Sequence, residues 1–231
     1  MAIILESFNE GGKCGLKNKR TGEVVMQPKY DRIYRFIDGL ALVKLGFKCG
    51  FIDKSGNEVI PLKYENADEF AEGFARVRLK SKWGFIDKKG TLAVPNLYDI
   101  VFDFREGMAC VELDGKSGFI DIEGKILVPV IYDFAWSFSE GCAAVKLKGK
   151  YGFVDKKGNE IIEIKYDYAE SFSKGLAPVK LNEKCGFIYK TGKETIPLIY
   201  DHVYSFFSGK AKVKKGDETF YIDTAGNRIN I

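Results

Sequence analysis

Lys82-Trp83-Gly84-Phe85-Ile86-Asp87-Lys88-Lys89-Gly90 is the stretch that decides the fold, because it recurs, edited, from end to end of the chain. Its centre returns as Gly50-Phe51-Ile52-Asp53, Gly118-Phe119-Ile120-Asp121, Gly152-Phe153-Val154-Asp155 and Gly186-Phe187-Ile188-Tyr189. Worn copies stand at Gly15-Leu16-Lys17-Asn18 and Phe220-Tyr221-Ile222-Asp223. The turn glycines that follow fall at 22, 56, 90, 124, 158, 192 and 226, a constant step of 34. The first copy has one extra residue between Gly15 and Gly22, and the seventh stops at Ile231. Seven copies of one supersecondary unit, none able to bury its own apolar face, must stack on their neighbours.

A period of 34 also suits helical repeats, so the pattern inside one copy decides the type. In Leu40-Ala41-Leu42-Val43-Lys44-Leu45 the residues Ala41, Val43 and Leu45 share a face, and Phe74–Leu79, Met108–Leu113, Cys142–Leu147 and Leu176–Leu181 repeat the alternation. Period two means a strand. A polar turn leads into the aromatic and β-branched motif strand. Asp-x-x-Gly then makes a tight turn, aspartate accepting from amides ahead of it and glycine tolerating positive φ. A third strand follows, and Pro61, Pro95, Pro129 and Pro197 share one of its columns, so it is expected at an edge or a strand end. Tyr-Asp and Phe-x-x-Gly close the copy through a link that reads equally as a short fourth strand or as a turn. No segment keeps a helical period, so the chain is expected to be all-β, one repeat domain over 1–231.

These columns resemble the bacterial WG repeat family, also called KWG repeats. The resemblance runs over nearly the whole chain through a Lys-aromatic-Gly-Phe-Ile-Asp strand, a Gly turn, a Val-Ile-Pro strand, Tyr-Asp and Phe-x-x-Gly. Trp83 alone keeps the tryptophan of the name, and Phe220 replaces the glycine in the seventh copy. The resemblance implies an all-β module for binding or presentation, and it supplies no catalytic residues.

Two assemblies suit such copies: a closed, propeller-like ring or an open β-solenoid. Seven is a usual blade number and closure removes exposed edges, although 34 residues is short beside the ~40–45 of a WD40 blade. Ile3, Ile4, Leu5 and Phe8 at one end, and Val213, Phe220, Tyr221, Ile222 and Ile229 at the other, are too apolar for polar caps. The ends are therefore expected to meet.

Composition sets the remaining bounds. Of the residues 45% are hydrophobic and 29% charged, which argues for a folded core. A net charge of +4 is too slight to point to nucleic acid or to an anionic membrane. No apolar run approaches a membrane span and Met1-Ala2-Ile3-Ile4-Leu5-Glu6 lacks the form of a signal peptide, so the expected compartment is the cytoplasm. Five cysteines include no Cys-x-x-Cys pair, and His202 is the one histidine. Neither zinc nor a disulfide scaffold is expected. Cys14, Cys49 and Cys185 occupy the column of Trp83 and read as core fillers, while Cys110 and Cys142 belong to the first strand.

The recurring Asp53, Asp87, Asp121, Asp155 and Asp223 are turn residues rather than paired carboxylates. Asp53-Lys54-Ser55-Gly56 holds too few oxygens for calcium. Phe70, Phe104, Phe138, Phe172 and Phe206, with Tyr98, Tyr132 and Tyr166, read as core. His202 has no readable partner for general-base work. Lys13, Lys48, Lys82, Lys116, Lys150 and Lys184 all stand two before the motif glycine. Together they form a candidate basic stripe, although lysines at a hairpin turn ordinarily guard a solvated edge. Four after each Tyr comes Tyr34, Asp68, Phe102, Trp136, Glu170 and Tyr204. A column that accepts Asp and Glu is expected to be exposed, and its aromatics Tyr34, Phe102, Trp136 and Tyr204 are the candidate ligand-binding residues. The alternative is that each ring covers the neighbouring repeat. The expected function is a non-enzymatic interaction module, without cofactor or metal, whose partner is a protein or peptide. A carbohydrate or cell-surface ligand bound by the exposed aromatics is the alternative, and an enzyme with a central cavity is the least favoured reading.

Overall fold

The structure is a computed structural model that describes residues 4–229; Ile3 and Ile231 lie outside them. Every regular element among the described residues is a β-strand, so no helix is long and apolar enough to cross a membrane. The chain divides into two compact units, Met1–Phe104 and Arg105–Ile231.

The first unit opens with a three-stranded meander, Leu5–Glu10, Lys13–Asn18 and Val24–Tyr30. Two four-stranded sheets follow: Arg32–Ile37, Leu40–Leu45, Lys48–Asp53 and Glu58–Tyr64, then Asn66–Ala67, Phe74–Leu79, Lys82–Asp87 and Leu92–Tyr98. In the second unit Met108–Leu113, Lys116–Asp121 and Ile126–Tyr132 pair in order. Three four-stranded sheets complete it, beginning at Phe134–Ala135, Tyr168–Ala169 and His202–Val203. The link left open by the sequence is thus a strand, six residues long at Arg32–Ile37 and two residues long in the other five links, and it pairs forward with the first strand of the following copy: Tyr168 faces Lys180 and Ala169 faces Val179. A sheet therefore draws its first strand from the preceding repeat.

Lys148 and Gly149, at the tip of one first hairpin, both have positive φ, as a two-residue turn of the I′ type requires. The proline-bearing third strands lie at sheet edges, where a missing N–H costs no ladder bond. The motif glycine answers to the same strand. Cys185 faces Tyr200 and Phe187 faces Ile196, so two steps on the motif strand oppose four on its partner. The third strand arches over Gly186, where a Cβ would come within 2.5 Å of the Ile196 carbonyl oxygen. Only glycine leaves room there. Where Phe220 replaces it, Tyr221 faces Ile229 and Ile222 faces Arg228.

Both inner strands of a sheet are covered on two faces; Cys142–Val145 and Tyr151–Val154 are buried without a break. The motif phenylalanine meets the Phe-x-x-Gly ring that follows it in copy after copy. Centroids lie 4.9 Å apart in Phe51–Phe70, 4.6 Å in Phe85–Phe104, 4.7 Å in Phe119–Phe138, 4.8 Å in Phe153–Phe172 and 4.7 Å in Phe187–Phe206. Such tilted pairs contribute roughly 0.5–1.5 kcal/mol beyond their buried area. All five cysteines are unpaired and all but half-buried Cys14 are buried. Burial pushes the Cys110 thiol up to about 12. The turn aspartates do what their position suggests: Asp53 Oδ1 accepts from the amides of Ser55 and Asn57 at 2.8 and 2.9 Å. Burial works against the charged form of Asp53, but these bonds and the Asn57 side chain outweigh it and hold the carboxyl below its ordinary value.

Candidate functional site

The links between copies carry the exposed chemistry, because two columns of more accessible residues flank the buried second residue of each two-residue strand. One side carries Arg32, Asn66, Ile100, Phe134, Tyr168 and His202; two residues on stand Tyr34, Asp68, Phe102, Trp136, Glu170 and Tyr204. Phe102, Trp136 and Tyr204 are exposed by 41, 37 and 53%, and Tyr34 is half-buried. Tyr34 leans on the core of the first unit with the Arg32 guanidinium 4.7 Å over its ring.

In the second unit these rings are anchored. Trp136 stands edge-on to Phe134 at 4.9 Å and donates its indole N–H to the Ala169 carbonyl of the next copy at 3.1 Å. His202 stacks on Tyr204 at 4.6 Å, with Nδ1 2.9 Å from the Val203 carbonyl oxygen. Glu170 stands between the two anchors. Its carboxylate accepts from the Tyr168 hydroxyl at 3.2 Å and from the Ser205 hydroxyl at 2.5 Å.

The lysine column is not an open stripe of positive charge. Lys82, Lys116, Lys150 and Lys184 each meet the aspartate of the following Tyr-Asp at 2.5–2.7 Å, as Lys13 meets Asp31. Lys48 departs from the pattern: with Glu65 in the aspartate position, its Nζ donates to the Lys63 carbonyl at 3.4 Å. The second carboxylate oxygen of the aspartate accepts from the next hairpin. Asp31 takes the Gly46 amide at 2.6 Å, Asp167 the Asn182 amide at 2.8 Å and Asp201 the Gly216 amide at 2.6 Å. The lysine, and with it the turn amide, holds Asp31, Asp167 and Asp201 below the ordinary carboxylate value. Tyr-Asp is a clip between copies.

A second clip has no counterpart in the reading of the sequence. Glu106 and Glu140, ahead of glycine in Phe-x-x-Gly, have positive φ of 55° each. Glu106 accepts the amides of Glu140 and Gly141 at 2.6 and 2.9 Å, and Glu140 accepts the Gly175 amide at 3.0 Å. Lys156 and Lys190 reach the same two glutamates at 3.3 and 3.2 Å. The signal was the column itself, with Glu72, Glu106 and Glu140 in successive copies.

One cleft between copies adjoins the column of Trp83. In the fifth copy Tyr151 fills it, buried, with its ring 5.5 Å from Tyr168. Where Cys185 stands instead, space opens. By Cys185 it is a cleft of ~240 Å3 lined by Tyr168, Glu170, Pro178, Val179, Lys180, Cys185, Asp201, His202 and Val203. In the first unit a recess of ~540 Å3 has walls that include Tyr34, Lys44, Asn66 and Asp68. The charges there engage one another: Arg35 meets Glu69 at 2.9 Å, and Arg76 meets Asp68 and Asp103 at 3.2 and 2.9 Å. A third cleft of ~390 Å3 lies between Trp136, Glu170, Ser171, Ser173 and Ser205. Among the described residues no group of three His, Cys, Asp or Glu side chains is placed to hold a metal ion.

The family described as WG containing repeat matches residues 15–49, 50–83, 83–116, 118–151, 151–185 and 186–218. No curated protein matches the sequence. Among solved structures the chain is similar to a eukaryotic initiation factor at 12% identity and a TM-score of 0.55, covering 99% of this chain and 73% of that one. It is also similar to Hsv2p of Kluyveromyces lactis at 7% identity and a TM-score of 0.47, covering 96% and 92%. At such identities the likeness is one of fold alone, and the similar structures are propeller-like.

Proposed function

Because the chain belongs to the WG-repeat family, we propose that it is a non-catalytic interaction module whose partner is a protein or peptide. The observation that carries this reading is the row of anchored rings in the second unit: Trp136, Tyr168, His202 and Tyr204, with clefts of ~240 and ~390 Å3 beside them. These volumes lie at or below the small end of the ~300–1,000 Å3 that encloses a drug-sized molecule, and the smaller suits a single side chain. Exposed aromatics held in place lose little entropy on binding and commonly act as interface anchors. Panning a random peptide display library on the wild type and on a Trp136→Ala, Tyr204→Ala variant tests it. Sequences enriched on the wild type should lose at least tenfold in affinity for the variant, whose melting should be unchanged. No enrichment on the wild type would sink the reading.

One cleft favours the carbohydrate alternative. Trp136 with Glu170, Ser171, Ser173 and Ser205 places a ring beside a carboxylate and three hydroxyls. A glycan array bound through Trp136, with the peptide library silent, would favour it.

We further propose that the seven copies close into a ring. The count of copies and the propeller-like character of the neighbouring folds support it. Deleting residues 1–8 should then speed hydrogen exchange in Lys210–Asp223 as much as in Lys13–Asn18. Loosening confined to the first two copies means an open array.

A further inference from the structure

The fifth and sixth copies share one framework and differ at two of its positions. Lys146, Tyr151 and Tyr168 of the fifth correspond, 34 residues on, to Lys180, Cys185 and His202 of the sixth. The strand registers agree: Lys146 faces Tyr151 as Lys180 faces Cys185, and Tyr151 faces Tyr166 as Cys185 faces Tyr200. In the fifth copy the chain places its own phenol in the gap between copies. That ring lies edge-on to Tyr168 at 5.5 Å, with the Lys146 ammonium 5.4 Å from its centroid. In the sixth copy His202 stands in the place of Tyr168, the Tyr151 ring has no counterpart, and the ~240 Å3 cleft takes its place.

We infer that the Cys185 cleft is a socket for an aromatic side chain of the partner, which enters where Tyr151 sits one copy earlier. This rests on the reading that the partner is a protein or peptide, and it names the residue type that docks. The socket is built for a ring rather than for any apolar group. Tyr168 and His202 supply aromatic walls, Val179 and Val203 an apolar floor, and Lys180 the cation that its counterpart holds against the Tyr151 ring. Edge-to-face and cation–π contacts both need a π-face. Glu170, whose carboxylate is held by two hydroxyls, stands at the same cleft and favours a basic residue beside the aromatic one in the partner. Cys185 forms the base as a small apolar group; burial raises its thiol above the ordinary value, so it remains protonated.

The test is a nuclear magnetic resonance titration of the full chain with N-acetyl-tryptophanamide, N-acetyl-tyrosinamide and, as a saturated control, N-acetyl-cyclohexylalaninamide. The aromatic amides should shift the signals of Val179, His202 and Val203 with a dissociation constant on the order of millimolar, the weak end of specific binding. The saturated ring should bind several-fold more weakly. Cys185→Tyr should fill the socket from within, as Tyr151 does, and reduce binding more than tenfold with melting unchanged or raised. His202→Ala removes an exposed wall without touching the core and should weaken binding even if the tyrosine is not tolerated. Unmoved signals in the wild type, equal binding of the saturated ring, or unchanged binding in both variants would each overturn the socket. If the amides bind but no peptide is enriched on display, the socket stands and the peptide reading falls. Enriched peptides that bind the Cys185→Tyr variant normally leave that reading standing and end this one.

Discussion

Replacing Phe138 by alanine is expected to cost ~3–5 kcal/mol, the usual range for truncating a buried phenylalanine. Phe138 is 3% exposed and its ring stands edge-on to Phe119 at 4.7 Å, inside a cluster that includes Met108, Cys110, Val128 and Val145. The neighbours belong to two successive sheets, so the space cannot close without moving one sheet toward the other. Against a total margin of about 5–15 kcal/mol, the loss lowers the denaturation midpoint steeply. Phe207 is the control: it is 79% exposed, and its removal should change stability by no more than about 0.5 kcal/mol. Equal midpoints for the wild type and Phe138→Ala in urea would mean that the paired rings are not what joins the copies.

Gly186→Ala is expected to cost about 3 kcal/mol, the upper part of the range for overpacking. The added methyl would lie 2.5 Å from the Ile196 oxygen, 2.6 Å from the Pro197 oxygen and 2.8 Å from the Pro197 carbonyl carbon. All three are backbone atoms, so no side-chain rotation relieves the clash. The arch must lift, and hydrogen exchange should rise first in Glu194–Tyr200. A variant within about 0.5 kcal/mol of the wild type would show that the arch is free to move, and that glycine is there for another reason.

What could be read from the sequence follows from how local each cause is. Alternation, the Asp-x-x-Gly turns and the Pro61 column act within a few residues, and the strands lie where those patterns put them. The link resisted reading because two residues carry no period; the strand at Tyr168–Ala169 exists through its partners Lys180 and Val179. The lysine column was visible but read alone. Its meaning lies in aspartates 17 or 18 residues ahead, which only the folded meander brings within 2.5–2.7 Å. Cys49 and Cys185 read as fillers of the tryptophan column, and both are buried. Whether a cysteine there completes a core or leaves a hollow depends on neighbours one link away, and no single column records that.

The Tyr-Asp clip gives each copy that carries it a head and a tail. One carboxylate looks back to the lysine of its own repeat and forward to the turn amide of the next, so each joint is made from a donor and an acceptor that travel in different repeats. Wherever a unit of 34 residues is duplicated or lost within such an array, the new neighbours meet with the same groups already in place. Length is then free to drift while the joint stays constant, and the residues that vary within it, the rings of the link and the tryptophan column, are free to diversify copy by copy.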